Sequence, residues 1–144
     1  MLLEAMRIEA GYGHAQVLFG VSFSIDAGEV VTLVGRNGMG KTTSVRCLFG
    51  LVRTSAGEIT FDGKRIERAP SHEIARAGLG LVPEGRQIFP NLSVRENLLM
   101  AFIDRGWGGE RWTFDRVIDF FPRLGERLSN AGNQLSGGEQ QMLA

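Results

Sequence analysis

The stretch that decides the fold is Gly35-Arg36-Asn37-Gly38-Met39-Gly40-Lys41-Thr42-Thr43. It has the spacing Gly-x-x-x-x-Gly-Lys-Thr, which is typical of a loop that binds phosphate groups. Residues 29–34, just before it, form an apolar run rich in β-branched side chains and predict a short buried strand. Residues 42–49, just after it, predict a helix. A strand, a glycine-rich turn and a helix in this order favour a nucleotide-binding loop.

The residue types of this loop suit a polyphosphate. Its glycines let backbone N–H groups approach an anion with no Cβ in the way, and the following helix directs its positive end toward the same anion. Lys41 is expected to reach the β- and γ-phosphates, and the Thr42 hydroxyl to ligate Mg²⁺. The alternative, an accidental glycine-rich turn, is weakened because lysine occurs only at 41 and 64. We expect the nucleotide to contact Gly35, Arg36, Asn37, Gly38, Met39, Gly40, Lys41, Thr42 and Thr43.

A second motif reads Leu135-Ser136-Gly137-Gly138-Glu139-Gln140-Gln141. Ser136 and Glu139 have the spacing of a capping box, so a helix is expected to start near Gly137. An ordinary helix start is one interpretation. Two successive glycines in the first turn oppose it, because each costs about 1 kcal/mol relative to alanine. They favour a place where another molecule comes close to bare backbone N–H groups.

This second motif is similar to the LSGGQ signature of the ATP-binding-cassette (ABC) ATPases. The resemblance implies ATP and Mg²⁺ as cofactors and Lys41 as a catalytic group. It also implies that the signature covers the γ-phosphate of ATP held by the loop of an opposite subunit, through Leu135, Ser136, Gly137, Gly138 and Glu139. In the family an aromatic ring near the N-terminus stacks on the adenine, a role that falls on Tyr12, the chain's single tyrosine. A turn aromatic that packs on a sheet is the alternative for Tyr12.

One segment narrows the resemblance. Val82-Pro83-Glu84-Gly85-Arg86, followed by Ile88-Phe89-Pro90-Asn91-Leu92, resembles the ATP-binding subunits of branched-chain amino acid importers. Many ABC ATPases have glutamine where this chain has Glu84. A carboxylate can still ligate Mg²⁺ or orient a water molecule, although it cannot donate a hydrogen bond to that water. Urea and amide importers share much of this pattern, so they are the alternative substrate class.

The resemblance implies an α/β fold of the P-loop NTPase (ABC ATPase) type. It would have an N-terminal antiparallel β-subdomain, an incomplete parallel core sheet and an α-helical subdomain. The expected division is a β-subdomain with the phosphate-loop core over 1–83, a Q-loop-type segment over 84–92, a helical subdomain over 93–134, and the signature with the start of its helix over 135–144.

Two helices are predicted inside the helical subdomain. Ser93 and Glu96 form a capping box that opens a helix from Val94 to about Ile103. A glycine-rich break at 105–109 precedes a second helix that extends to Pro122. The aromatic side chains of this region are interpreted as subdomain packing, with docking onto a membrane partner as the alternative; they are Trp107, Trp112, Phe114, Phe120 and Phe121.

Several family elements have no match within residues 1–144. They are a strand that ends in a Mg²⁺-binding Asp, a Glu that polarises the attacking water, and a switch His. We therefore interpret the chain as an N-terminal fragment of the family domain, inactive in hydrolysis by itself. The second hypothesis is a truncated, non-catalytic product that binds nucleotide or a partner.

Composition bears on location and partners. The formal net charge is zero and 22% of the residues are charged, so no basic field favours nucleic acid. The single cysteine, Cys47, fits a reducing compartment. The resemblance implies a cytoplasmic chain held at the inner face of the membrane by transmembrane permease subunits. A second ATP-binding subunit, identical or related, and indirectly a solute-binding protein, complete the expected partners.

Overall fold

The structure is a computed structural model, and it describes residues 1–101 and 112–144. The chain divides into two units, Met1–Leu81 and Val82–Ala144, and each has its own hydrophobic core. In the described ranges no helix is both long enough and apolar enough to cross a membrane.

The first unit is built around an antiparallel sheet. Its strands are β1 (Leu3–Tyr12), β2 (Ala15–Ile25), β3 (Thr54–Phe61) and β4 (Lys64–Arg65), in the spatial order β2-β1-β3-β4. Asp62 and Gly63 join β3 to β4 with φ angles of 47° and 73°, as a type I′ hairpin turn requires. The N-terminal antiparallel sheet that the resemblance implies is confirmed.

Strand β1 keeps one face toward the core because it contains a bulge. Its buried side chains are Leu3, Ala5, Ile8 and Ala10. The buried positions are therefore odd-numbered in the first half of the strand and even-numbered in the second. The change falls at Arg7, which has a φ of 47° and lies where the pairing with β3 skips from Met6 to Glu9. The extra residue preserves an apolar inner face in a strand whose sequence does not alternate strictly.

Two helices complete the first unit, α1 (Lys41–Leu48) and α2 (Ser71–Ala77). The helix predicted after the glycine-rich loop is therefore confirmed, within a residue at each end. The core that the helices share with the sheet includes Leu18, Cys47, Leu48, Ile59, Ile66 and Ile74. Burial raises the pKa of the Cys47 thiol, so at neutral pH this side chain packs as a small neutral group.

Residues 29–34 do not form the strand that their apolar pattern predicts. Val30 is 93% exposed and Val34 is 87% exposed. A strand of a parallel sheet needs neighbours that pair with its backbone and cover both of its faces. No described residue pairs with this stretch, so its apolar residues lie outside the sheet. The parallel part of the expected core sheet is consequently not formed within the described ranges.

The second unit is helical. Its helices are α3 (Val94–Ala101), α4 (Phe114–Phe120), α5 (Pro122–Gly125) and α6 (Gly137–Leu143), with a 3-10 turn at Gly132–Gln134. They enclose a small core of Val94, Leu124 and Leu135. The predicted start of α3 is confirmed, because the Ser93 N–H donates to Glu96 Oε2 at 2.7 Å and the Glu96 N–H donates to Ser93 Oγ at 3.2 Å.

The packing expected for the aromatic side chains is wrong for two of them. Trp112 precedes α4 and is 55% exposed, and Phe120 is 66% exposed. Their rings meet edge to face at 5.6 Å, which shields part of each ring without a core around it. Phe121 does pack against the small core. Trp107 and the glycine-rich break at 105–109 lie outside the described residues.

Gly57→Ala is expected to lower the free energy of unfolding of the first unit by about 2–5 kcal/mol. Gly57 lies opposite the bulge with a φ of 87°, and a Cβ there would come within 2.4 Å of the Arg7 carbonyl oxygen. The clash costs about 1–3 kcal/mol, in addition to the cost of about 1–2 kcal/mol of a left-handed alanine. Urea unfolding followed by circular dichroism measures the change.

The matched control is Gly63→Ala. Gly63 also has a positive φ, 73°, but a Cβ there meets no atom within 4 Å. Only the conformational cost of about 1–2 kcal/mol should remain. Equal losses for the two variants would contradict the close approach of β3 to the bulge.

Candidate nucleotide-binding site

The glycine-rich loop leads into α1 through Gly40, the N-cap residue of that helix. Gly40 has a φ of 87° and Gly38 a φ of 82°, values that favour glycine. A Cβ on Gly40 would also lie 2.6 Å from Leu18 Cδ2, a side-chain atom of β2. The loop residues 35–39 are exposed. The loop is therefore seated on the sheet at its end and open to a ligand along its length.

Lys41 folds back over the loop. Its ammonium group donates to the carbonyl oxygens of Gly35 at 2.7 Å and of Arg36 at 2.8 Å. An ammonium group has three N–H donors, so one remains for an anion at the mouth of the loop. Two short charge-assisted hydrogen bonds hold the positive charge against the loop backbone. Thr42, the next residue of α1, is exposed at the same helix end.

Tyr12 lies beside α1. The Arg46 Nη1 group donates to the Tyr12 hydroxyl oxygen at 3.4 Å, a long hydrogen bond. A hydrogen bond from the Thr43 side chain, followed by the one from Arg46, lowers the pKa of the Tyr12 phenol. The ring is 46% exposed, so one part of it is held and another part is open. The structure thus brings Tyr12, Thr43 and Lys41 to one region of the first unit.

The second motif begins α6 with both hydrogen bonds of a capping box. The Ser136 N–H donates to Glu139 Oε2 at 2.8 Å, and the Glu139 N–H donates to Ser136 Oγ at 3.3 Å. The Arg127 Nε group lies 3.1 Å from Glu139 Oε1. Leu135 is buried in the core of the second unit. Glu139 is therefore occupied in holding the helix start, while the backbone at Gly138 has open space around it.

Arg86 is a residue of this region that sequence reasoning missed. Its φ is 65°, uncommon for a residue other than glycine. Its guanidinium nitrogens lie 2.9 and 3.0 Å from the position that a Cβ on Gly137 would take, and Nη1 donates to Gln140 Oε1 at 3.4 Å. Gly137 thus leaves room for a guanidinium at the start of α6. An arginine after a Glu-Gly turn gives no pattern that predicts this contact.

Glu84 is exposed in a turn and makes no side-chain hydrogen bond or ion pair with the described residues. It belongs to the second unit, whereas Thr42 belongs to the first. Among the described residues there is also no group of three or more His, Cys, Asp or Glu side chains that could hold a metal ion. Mg²⁺ sites on phosphates commonly take their ligands from one or two side chains, phosphate oxygens and water, and the exposed Thr42 hydroxyl is a ligand of that kind.

The loop, the helix that follows it and the surrounding fold define a P-loop protein of the α/β class. Residues 18–144 match the family described as ABC transporter. The chain therefore belongs to the ABC transporter family. The resemblance based on the loop and the signature is confirmed.

Curated relatives align with nearly the whole of this chain. It is 39% identical over 143 residues to the high-affinity branched-chain amino acid transport ATP-binding protein BraG of Pseudomonas aeruginosa. It is 34% identical over 145 residues to the probable branched-chain amino acid transport ATP-binding protein LivF of Archaeoglobus fulgidus. Each alignment covers 99% of this chain and 61% of the relative, so the chain spans about three fifths of their length.

Solved structures agree on the fold. The ATP-binding subunit of an ABC transporter superimposes with a TM-score of 0.82 at 31% identity, over 99% of this chain and 59% of that one. A dimeric bacterial ABC transporter cassette superimposes with a TM-score of 0.79 at 22% identity, over 99% of this chain and 66% of that one. The predicted fold class is confirmed.

The second unit is expected to lose stability in acid through Glu139. Hydrogen bonds from the Ser136 backbone and then its hydroxyl, with Arg127 adding, hold the pKa of Glu139 below its ordinary value of 4.5. A carboxyl whose folded pKa is depressed stabilises the fold fully above the ordinary value, and that contribution disappears as the pH falls through the lowered value. Thermal unfolding between pH 6 and pH 3 measures this loss.

Glu139→Gln should flatten this pH dependence, because the amide cannot titrate. The matched control is Glu126→Gln, since the Glu126 carboxylate is exposed and contacts no polar side chain among the described residues. The control should keep the wild-type profile. A profile for Glu139→Gln as steep as that of the wild type would contradict the role given to Glu139.

Proposed function

We propose that this chain is the ATP-binding part of an ABC importer that couples ATP binding and hydrolysis to the uptake of branched-chain amino acids. The observation that carries the nucleotide site is the Lys41 ammonium group, held at 2.7 and 2.8 Å from two loop carbonyls beside an exposed glycine loop. The names of BraG and LivF support the substrate class.

The loop would hold the phosphates of ATP. Backbone N–H groups of residues 35–43 and the N-terminus of α1 would donate to the phosphate oxygens. The Lys41 ammonium group would give up one of its hydrogen bonds to a loop carbonyl and bind the β- and γ-phosphates. There it would stabilise the negative charge that develops during phosphoryl transfer. The exposed Thr42 hydroxyl would ligate Mg²⁺ together with phosphate oxygens, and the ion would neutralise charge on the phosphates. Glu84 is proposed for the Mg²⁺ or water side of the reaction.

Tyr12 would stack on the adenine. Its ring is fixed at the hydroxyl by Arg46 and Thr43, while about half of its surface is open. A ring that is held at one edge loses little conformational freedom when a base stacks on its face. The single tyrosine and the loop would therefore recognise two different parts of the same nucleotide.

The start of α6 would meet the γ-phosphate of ATP bound to a second subunit. Gly138 has open space at the Cβ position, and the Ser136 hydroxyl lies at the same helix start. The solved cassette with 22% identity is described as dimeric. This supports the proposal that two subunits of this fold can form a dimer. We propose a homo- or heterodimer of ATP-binding subunits. This dimer would contact transmembrane permease subunits through residues 84–90, at the cytoplasmic face of the membrane. A solute-binding protein would be an indirect partner.

Lys41→Ala is expected to weaken the binding of Mg-ATP to the chain at least tenfold, because charge-assisted hydrogen bonds to the phosphates are lost. Calorimetric titration measures the binding. Lys64→Ala is the matched control, since Lys64 is the only other lysine and lies exposed in β4. The control should bind as the wild type does.

Equal affinity of the Lys41 and Lys64 variants would reject the loop as the nucleotide site. Absence of Mg-ATP binding by the wild-type chain, with the fold intact by circular dichroism, would reject nucleotide binding by this chain as it stands. Binding that is lost only with Lys41→Ala supports the proposal.

Uptake by cells that carry the intact transport system is expected to discriminate the substrate class. Radiolabelled leucine uptake should fall with Lys41→Ala and stay unchanged with Lys64→Ala, and excess unlabelled isoleucine or valine should compete. Excess urea or acetamide should not compete. Lys41-dependent uptake of urea without uptake of leucine would overturn the branched-chain assignment and leave the ATPase assignment in place.

A further inference from the structure

A second concave surface lies in the first unit, beside the turn between β1 and β2. Its volume is about 440 Å³, which falls in the range of small-molecule sites, about 300–1,000 Å³. Neither Tyr12 nor any residue of the phosphate loop lines it. We call it the β-hairpin groove, and its polar wall is formed by His14, Gln16, Arg53, Thr54, Ser55 and Arg68.

Two arginines line the groove, and one other wall residue, Gln16, donates through Nε2 to the Glu9 carboxylate at 3.3 Å. Arg53 and Arg68 make no ion pair and no side-chain hydrogen bond with the residues in ranges 1–101 and 112–144, and no acidic residue lines the groove. By contrast, the nearby Arg65 pairs with Glu58 at 3.0 Å and with Glu67 at 2.6 Å. Guanidinium groups match the oxygens of phosphate and carboxylate in a fork geometry. Two such groups in one groove therefore favour an anion.

A buried hydroxyl in the wall is unsatisfied. Thr54 is 2% exposed, and its Oγ1 atom is buried with no hydrogen-bond partner within the described part of the chain. Most buried polar groups in proteins have a partner, so an exception calls for an explanation. Thr54 is itself one of the residues that line the groove. A ligand oxygen that accepts from this hydroxyl would satisfy it.

We propose that the β-hairpin groove binds a phosphate group of a small molecule, separately from the nucleotide loop. Arg53 and Arg68 pair with the phosphate oxygens, the Thr54 hydroxyl donates to one of them, and His14 forms another part of the wall. Phosphate fits better than a single carboxylate because it has enough oxygen acceptors for two guanidinium forks and a hydroxyl. The site stands on residues that the proposed ATP site does not use.

The test is a titration with inorganic phosphate, followed by the backbone amide signals of the chain in NMR spectra. The background is Lys41→Ala, which weakens the competing phosphate loop. Saturable shifts are expected at His14, Thr54 and Ser55. The double change Arg53→Gln with Arg68→Gln should weaken this binding at least tenfold, whereas Arg76→Gln, an exposed arginine of α2, should leave it unchanged.

A second arm separates a soluble phosphate from a lipid headgroup. Vesicles of phosphatidylcholine with phosphatidylglycerol are sedimented with the same variants. Binding to vesicles alone, lost with the two groove arginines, assigns the phosphate to a lipid. Saturable binding of inorganic phosphate that is lost with the same two arginines assigns it to a soluble ligand.

Two outcomes would overturn the proposal. The first is the absence of saturable shifts in the groove together with vesicle binding that does not depend on Arg53 and Arg68. The second is equal phosphate affinity in the groove for the double variant and for Arg76→Gln. Thr54→Val gives an independent check, since it should raise Tm by removing the buried hydroxyl and at the same time weaken phosphate binding. A rise in Tm with unchanged affinity would remove Thr54 from the site.

Discussion

The left-handed backbone at Gly40 is the constraint on which the first unit depends. It allows the chain to leave an exposed loop and enter α1 within one residue, and the missing Cβ lets Leu18 of β2 pack against the junction. Because the junction is fixed to the sheet, the Lys41 ammonium group can fold back onto the loop carbonyls. The same placement of α1 brings Thr43 and Arg46 to Tyr12. A residue with no side chain thus positions the charged and aromatic groups around it.

The second unit depends more on local hydrogen bonds than on burial. Among the described residues, its hydrophobic cluster has three buried side chains, Val94, Leu124 and Leu135. Its longest described helix has eight residues, which is marginal for an isolated helix. Reciprocal capping by Ser93 with Glu96 and by Ser136 with Glu139 fixes where two helices begin. The buried side chain of Asn97 adds a third set of local hydrogen bonds. Its Oδ1 accepts from the Phe89 N–H, and its Nδ2 donates to the Phe89 carbonyl oxygen.

Sequence reasoning succeeded where structure is decided by neighbouring residues. The start of α1 and both capping boxes follow from residue types a few positions apart, and the structure has all of them. It failed where distant partners decide. Residues 29–34 have the composition of a buried strand, yet a strand exists only if other strands pair with it. The exposure of Trp112 likewise depends on what packs over it, which spacing along a helix does not report.

The site was predictable to a similar extent. The loop, the Tyr12 position and the start of α6 were predicted from motifs, and the structure groups the first two in one unit. The contribution of Arg86 could not be predicted, because it depends on a left-handed backbone and on the empty Cβ position of Gly137. The Arg46 contact depends on how α1 crosses the end of β1. The partners of long, flexible arginine side chains are decided by the fold, so the positions of these arginines in the sequence do not predict their contacts.

The bulge at Arg7 has a consequence for the other end of its strand. Successive side chains of a strand point to opposite faces of the sheet. An extra residue therefore moves every later side chain of that strand to the other face. Beyond the bulge, Tyr12 shares the even-numbered face of Ile8 and Ala10, the face that turns toward α1. Without the extra residue the ring would point away from the helix, while the glycine loop would stay where it is. A residue outside the glycine-rich loop therefore determines whether Tyr12 lies on the same side of the sheet as the helix that the loop begins.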